Sequence, residues 1–495
     1  MIGEYPVLAG QHPVCNTFTI SVATCWRLFF LNKRVMSKVN KKKTQDKFAQ
    51  MPIVHLHAAG IDVGSRSHFV AVGQNKEDVK EYGVYTEDLH QLCQDLVKSG
   101  ITDVALESTG SYWQPLFVLL QQYNLNPILV NGKFTKNVKG KKTDVKDSQW
   151  IQKLHTMGML EGSFIPDLFT ETVRQYNRHR ECLIESAASY INKMQKALRL
   201  TNIRLDAVLR DVMGMSGKAI IEAILGGERN PAVLASLAHP SVKTPKAEIK
   251  AALTGDWREE YIFELRHCYE FYKYYHQKID ECDTEIKKLL TAEIERKQRE
   301  EGLAKVADIK VKKKKVHKNS PNIDMQRTMI EMTGGIDISA IKGVGLGLLL
   351  CLIAETGIDL KAFATDKQFA SWLRLSPDTK VTGGKIISDK TRKGKNRLAH
   401  AFMHCANTIG NMKEGDHLVH FFKRIARKKD RIVAMVATAR KLAVIVWNML
   451  VKKKPYNPEP PVEYLNKIRS NQVKNLQRKI RQLNVQEHEL SFATT

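Results

Sequence analysis

From Ile53 onward, short runs rich in β-branched and apolar residues alternate with amphipathic stretches of helical period. Strands are predicted at Ile53 to Val63, His68 to Gln74 and Val79 to Thr86, and a helix over Glu87 to Ser99. A strand at Asp103 to Ser108, a helix over Trp113 to Tyr123 and a strand at Pro127 to Asn131 complete the series. A strand and hairpin followed by alternating helix and strand predict a mixed α/β sheet with helices on its faces. Ligands of such sheets gather at the carboxyl ends of strands, and Asp62 and Glu107 fall at two such ends.

The middle of the chain is helical. Tyr261, Cys268, Tyr275, Cys282 and Leu289 repeat every seven residues, with Leu265, Tyr272, Ile279 and Ile286 interleaved. That seam predicts a coiled coil, either with the helix around Val173 to Leu200 of the same chain or with a second subunit. Lys310 to Asn319 is too basic to bury a face and reads as a linker. A compact helical domain is expected from Met325 to Lys453, and in it Ile341-Lys342-Gly343-Val344-Gly345 runs into an apolar helix at Leu346. Gly343 and Gly345 at a helix start suit the phosphate contacts of a helix-hairpin-helix element, and equally a tight turn between packed helices. The expected boundaries are an extension outside the fold (1–50), an α/β domain (51–165), a helical region (166–300), a basic linker (301–324), a helical C-terminal domain (325–455) and a basic helical tail (456–495).

Charge narrows the partners. The 495 residues carry 78 Lys+Arg against 52 Asp+Glu, a formal net charge of +26. Such a surplus repels itself unless a polyanion neutralises it, which makes nucleic acid the default ligand. The eight cysteines form no Cys-x-x-Cys and no Cys/His run at zinc spacing, which fits free thiols in a reducing cytoplasm. Thr17 to Leu31 is short for a membrane span, holds Arg27 and follows no basic segment, so no membrane attachment is expected. Met36 and Met51 could each start a complete domain.

Four carboxylates in so basic a chain point to chemistry. Asp62 and Glu107 close their strands, and Asp144 and Asp147 share one helix face at i and i+3. Hard oxygen donors at a sheet edge suit Mg2+, and two such ions serve phosphodiester displacement. Lys141, Lys142 and Lys146 would offset repulsion or grip a phosphate. Any one of the four could instead be a surface acid favouring a helix dipole. Gly60-Ile61-Asp62-Val63-Gly64-Ser65 also opens the actin-like phosphotransferases, but no second phosphate turn or adenosine motif follows.

A second cluster lies downstream. Lys380-Val381-Thr382-Gly383-Gly384-Lys385 precedes a basic run containing Lys390, Arg392, Lys393, Lys395 and Arg397. A hydroxyl on a glycine-flanked loop among cations is a candidate nucleophile toward a DNA phosphate. Thr382 is the first choice, Ser376 and Ser388 are rivals, and a loop that only grips phosphate is the alternative.

Gly-Ile-Asp-Val-Gly-Ser, Leu-Glu-Ser-Thr-Gly-Ser-Tyr-Trp, Leu-Val-Asn-Gly and Gly-Lys-Lys-Thr-Asp-Val-Lys-Asp occur in that order, followed by Ile341 to Gly345, Phe369 to Pro377 and Lys393 to Ala399. In this set the chain, from about His57 to Leu450, resembles the DEDD-type insertion-sequence transposases of the IS-one-ten and IS-eleven-eleven groups, the bridge-RNA-guided recombinases. The resemblance implies a RuvC-like, RNase H-like N-terminal domain with its acidic tetrad on Asp62, Glu107, Asp144 and Asp147, and a C-terminal transposase domain carrying a hydroxyl nucleophile. It implies Mg2+-assisted cleavage and exchange of double-stranded DNA through a protein-phosphate ester, directed by an element-encoded RNA. It implies too a homo-oligomer, dimer or tetramer, that joins the acidic domain of one subunit to the hydroxyl loop of another, working in the bacterial cytoplasm at the nucleoid. The family places a serine before the Gly-Gly pair where this chain has Thr382, whose methyl group crowds the approach. The rival activities are a metal-only Holliday-junction nuclease and an inactive nucleic-acid-binding relic.

Overall fold

The structure, a computed structural model, describes residues 52–132, 143–300, 302, 313–394 and 396–483. It divides into two units, Met1–Ile165 and Pro166–Thr495. The expected extension 1–50, with Thr17 to Leu31, lies outside the described residues, as do Lys141, Lys142, Lys395, most of the first part of the expected linker and the end of the tail.

The first unit is the mixed α/β sheet that the alternation predicts. Its strands are β1 (Ala58–Val63), β2 (His68–Ala71), β3 (Val79–Tyr82), β4 (Asp103–Glu107) and β5 (Asn126–Val130), in the order β3-β2-β1-β4-β5. β1, β2 and β3 form an antiparallel meander, and β4 and β5 continue the sheet in parallel with β1. Side chains alternate across a strand, and the two faces differ in size. Ile61, Val63, Val104 and Leu106 join a core with Leu92 and Leu96 of helix α1 (Thr86–Lys98) and Leu116 and Leu120 of α2 (Trp113–Gln122). The opposite face presents Ala58, Gly60 and Ala105, and helix α3 (Asp144–Thr156) lies against it. A Cβ on Gly60 would fall 2.6 Å from the Ser148 carbonyl oxygen and would strike the Gln152 backbone. Small residues here are what let a helix approach a sheet so closely.

The second unit is helical apart from one hairpin. Helices α4 (Leu168–Leu200) and α6 (Glu259–Glu300) run antiparallel along each other, since Arg180 pairs with Asp283 at 2.6 Å while Tyr190 stacks on Phe271. Helix α5 (Met215–Leu225) and three short helices between them fill one core with Met194, Leu198, Leu265 and Tyr272. Of the two pairings the heptads allow, this unit uses the one within the chain. The seam also drifts: after Ile286 the buried positions are Leu290 and Ile294 and not Leu289, because 3.6 residues per turn outruns a 3.5 repeat. The expected linker is held at its far end. The Asn319 carbonyl accepts from Arg180, the Asn322 N–H donates to Asp283, and Pro321 and Ile323 are buried.

The C-terminal helices of this unit are α7 (Met325–Thr333), α8 (Leu346–Thr356), α9 (Asp366–Trp372), α10 (Arg397–Gly410), α11 (His417–Lys428), α12 (Arg431–Lys452) and α13 (Pro461–Gln482), with β6 (Lys380–Thr382) and β7 (Lys385–Ser388) between α9 and α10. Helix α12 is long and apolar enough to cross a membrane by length and composition alone. It buries Ala439, Leu442, Val446 and Trp447 against its neighbours, and the Trp447 indole donates to the Phe363 carbonyl at 3.2 Å. The Gly-x-Gly turn is partly explained by packing. Gly343 has φ +85°, and a Cβ on it would meet Cγ1 of Ile409 at 2.5 Å, whereas Gly345 faces open space at the start of α8. The six described cysteines, Cys93, Cys182, Cys268, Cys282, Cys351 and Cys405, are free thiols.

His155, near the end of α3, is 3% exposed and stacks on His55 with ring centroids 4.7 Å apart. Burial and the neighbouring imidazole lower its pKa to about 4, against a weaker opposing pull from Asp103. An unfolded histidine binds its proton near 6.5, so between pH 6.5 and 4 the unfolded chain takes up protons that the native state refuses, and stability falls as pH falls. The loss from this group amounts to about 3 kcal/mol at most and ends below pH 4. Urea midpoints followed from pH 7 downward are expected to drop more gently in His155→Phe than in the wild-type chain; equal slopes would contradict the assignment.

Candidate active site

In the first unit the acidic positions converge on one end of the sheet. The β1–β4 register pairs Ile61 with Leu106, so the next residues, Asp62 and Glu107, stand side by side. Asp62 is two residues beyond Gly60 and therefore projects on the face that α3 covers. Helix α3 runs against the direction of β1. Gln152 reaches the Ala58 carbonyl at 3.2 Å, while Ser148 and Gln152 both sit over Gly60. One helical turn nearer its start, a rise of about 5.4 Å, Asp144 and Asp147 precede the buried Ser148 and Ile151 on the same stripe. Thr143 caps the helix by accepting from the Lys146 N–H. The helix start is thus turned to the strand ends that carry Asp62 and Glu107.

Asp62, Glu107 and Asp147 are half-buried and Asp144 is exposed. The donors are the hard oxygens that Mg2+ prefers. Among the described residues, no three His, Cys, Asp or Glu side chains are grouped closely enough to hold a metal ion. The backbone therefore gathers the four positions at one sheet end, without closing their carboxylates into a ready cluster. One residue that the sequence pattern did not single out belongs here. A Cβ on Gly132 would collide with the Glu107 carboxylate, so the glycine of Leu-Val-Asn-Gly leaves the room that carboxylate occupies. Its signal was the Asn-Gly pair one residue beyond β5.

In the second unit the glycine-flanked loop is a β-hairpin. Thr382 pairs with Lys385 across Gly383 and Gly384, whose φ values of +55° and +75° are the left-handed pair of a two-residue turn. Thr382, Lys385, Lys390 and Lys393 are exposed, and Thr382 sits directly beside the turn. Of the rival hydroxyls, Ser388 stands at the hairpin base opposite Lys380, where its Oγ accepts from the Lys390 N–H at 3.4 Å, and Ser376 is half-buried before the hairpin. Two of the predicted cations already have carboxylate partners: Arg392 pairs with Asp378 at 3.3 Å and Arg397 with Glu181.

Arg374 is a further residue that sequence reasoning left without a role. It holds φ +59°, and its guanidinium donates to the Lys393 carbonyl at 2.6 Å and fills the space where Gly394 lacks a Cβ. Together with the Asp378 N–H bond to the Lys390 carbonyl at 2.8 Å and the bridge between Pro377 and Thr391, it ties both ends of the hairpin to one base. Two separated motifs, Phe369 to Pro377 and Lys393 to Ala399, are thereby one structural piece.

Comparison with known proteins gives matches in both units. A family model for DEDD transposases of the IS110 type matches residues 59–203, and the transposase IS116/IS110/IS902 family model matches residues 337–419. A probable family 20 transposase of Pseudomonas aeruginosa is 28% identical over 122 residues, 24% of this chain and 36% of that protein. The alignment thus spans about a third of the curated relative. The first match contains Asp62, Glu107, Asp144 and Asp147, and the second contains Gly343, Gly345 and the Thr382 hairpin. The resemblance carried by the ordered motifs is therefore to the IS110-type DEDD transposases, matched at the acidic sheet and again at the hairpin.

Proposed function

We propose that this chain is the DNA transposase of a mobile insertion sequence, cleaving and rejoining double-stranded DNA under the direction of an element-encoded RNA. The observation that carries the reading is the gathering of Asp62, Glu107, Asp144 and Asp147 at one sheet end, inside a segment that matches DEDD transposases. These four residues would hold divalent metal, Mg2+ by the hardness of their oxygens, and the ion would supply charge neutralisation at a phosphate.

The remaining work falls to the hairpin. Thr382 Oγ1 gives up its proton and bonds to phosphorus as the bond from phosphorus to the sugar oxygen breaks, that oxygen leaving as a hydroxyl, and the resulting protein-phosphate ester is resolved when the hydroxyl of a second DNA end attacks it and returns a proton to Thr382. Lys385, its cross-strand partner, offsets the charge growing on the phosphate, with Lys390 and Lys393 beyond it. Gly383 and Gly384 keep side chains out of the way of the strand. Gly345, open on its Cα side at the start of α8, is a further point of close approach for the strand in this reading. Pairing between RNA and DNA sets the target, so the protein reads backbone and shape. The enzyme works as a homo-oligomer on DNA in the bacterial cytoplasm, with the acidic site of one subunit acting beside the hairpin of another.

The test combines the protein with Mg2+, the noncoding RNA that flanks its element and junction DNA, followed by a denaturing gel. A covalent protein-DNA adduct is expected. Thr382→Ala should lower it at least a thousandfold, roughly the cost of deleting a nucleophile, and Thr382→Ser should restore it. Asp147→Asn should abolish cleavage. Cleavage without an adduct would replace this reading by a metal-only nuclease, and binding with neither product would leave an inactive relic. Gly132→Ala probes the acidic end by position alone. Its new methyl first meets the flexible end of Glu107, so cleavage should fall at least about tenfold while stability changes by less than about 1 kcal/mol; unchanged cleavage would remove Glu107 from the site.

A further inference from the structure

Beyond residue 419, outside both matched segments, α11, α12 and α13 enclose an open groove. One hollow of about 530 Å3 is lined by Phe421, Arg424, Lys428, Lys441, Tyr464 and Lys467, with the amides of Asn471, Gln472 and Asn475 along its α13 side. A second, of about 660 Å3, shares Lys428, Gln472 and Asn475 and continues past Arg478 and Lys479 toward the end of α13. The two form a single cationic track along a helix of 22 residues, about 33 Å long.

Lys441 is the reason to regard the track as built for an anion. It is half-buried, and its ammonium lies 4.9 Å from the Phe421 ring centroid and 5.2 Å from that of Tyr464. Among the described residues no carboxylate comes within 4.0 Å of it, and Glu459, the acid in the lining, is bonded to Lys467. Burial pulls the Lys441 pKa down, with Arg424 adding to it and Glu459 and Asp416 opposing. Tyr464, 8% exposed, keeps a hydroxyl with no hydrogen-bond partner. A half-buried cation that meets ring faces and has no carboxylate in direct contact is partly uncompensated, and an arriving anion would relieve it. We propose that this groove binds the sugar-phosphate backbone of a nucleic-acid strand. Cations in line suit successive phosphates, and aromatic faces with amides suit sugars and bases better than a single small anion. The proposal rests on the reading of the chain as a nucleic-acid enzyme, and adds a binding surface remote in sequence from the acidic site and the hairpin.

Fluorescence anisotropy with the full chain and labelled single-stranded RNA, single-stranded DNA and duplex DNA tests it. The triple variant Arg424→Gln/Lys428→Gln/Lys467→Gln changes only exposed side chains, and Lys441→Met removes the inner charge while keeping an unbranched apolar stem one atom shorter. For a single strand the slope of log K against log salt should flatten by about 0.7 for each phosphate no longer neutralised, so by about 2 in the triple variant. Affinity for at least one of the three probes should fall about tenfold or more, and the probe whose binding weakens most identifies the strand. A control neutralising the exposed Lys250, Lys273 and Lys287 should leave slope and affinity near wild type. Thermal melting of each variant separates misfolding from weakened binding, and the triple variant carries the test if Lys441→Met fails to fold. Unchanged slopes in the triple variant, an equal loss of affinity in the control, or equal competition by polyglutamate would each overturn the groove. A wild-type chain that binds none of the probes would bring down the functional reading as well, whereas wild-type binding with indifferent groove variants would bring down the groove alone.

Discussion

The close approach of α3 to β1 and β4 is the constraint on which the acidic end of the first unit depends. Gly60 admits the backbone of Ser148 and Gln152 where any Cβ would clash, and Ala58 and Ala105 keep the rest of that face shallow. Because α3 can lie this near and runs against β1, its first turn arrives where β1 and β4 end. A bulkier residue at position 60 would lift the helix and carry Asp144 and Asp147 away from Asp62 and Glu107. The larger residues on the opposite face, Ile61, Val104 and Leu106 against α1 and α2, supply the apolar burial that the thin face lacks. One face of the sheet therefore provides most of its core, and the other positions chemistry.

The hairpin follows the reverse logic. Among the described residues nothing covers β6 and β7: Val381, Ile386 and Ile387 remain 57%, 67% and 68% exposed. A lone two-stranded ribbon is marginal in water, so this one is fixed at its base, by Arg374 on the Lys393 carbonyl and by the Asp378–Lys390 bond. Left-handed φ values at Gly383 and Gly384 close its tip. The result is an anchored base with an uncovered tip, a geometry suited to meeting an extended partner, and the half-exposed valine and isoleucines would be a liability without one.

How much of this the sequence discloses depends on whether local pattern or tertiary contact sets the feature. The sheet is legible because its strands alternate with helices of clear period, and the start of α3 because Thr143 caps a run with Asp144 and Asp147 in its first turn. The hairpin reads as a loop because its strands have only three and four residues and no buried side to impose alternation. Gly343 illustrates an ambiguity that only packing resolves: its positive φ and the Ile409 side chain pressed against it account for the glycine without any ligand. Leu290 replaces Leu289 in the α6 seam because 3.6 residues per turn drift against a 3.5 repeat, which a count of heptads does not follow. The room that Gly132 leaves for Glu107 joins positions 25 residues apart, and local periodicity has no means of pairing them.

Charge is the last feature to be sorted by the fold. The surplus of +26 names a polyanion without saying where it goes. The structure divides the cations by what already holds them. Arg180 is spent on Asp283 inside the helical pair, Arg178 on Glu355, Arg397 on Glu181 and Arg392 on Asp378. The Arg180–Asp283 pair is buried, and breaking it would leave its partner uncompensated, whereas Arg392 and Arg397 pair at the surface, where an ion pair is weak. The exposed lysines of the hairpin and the cations along α11 and α13 have fewer competing carboxylates, and it is these that an arriving phosphate can engage at low cost. A basic chain of this kind is thus better described by the pairing of each cation than by its net charge, and the hairpin and the α11–α13 groove are two places where cations remain available.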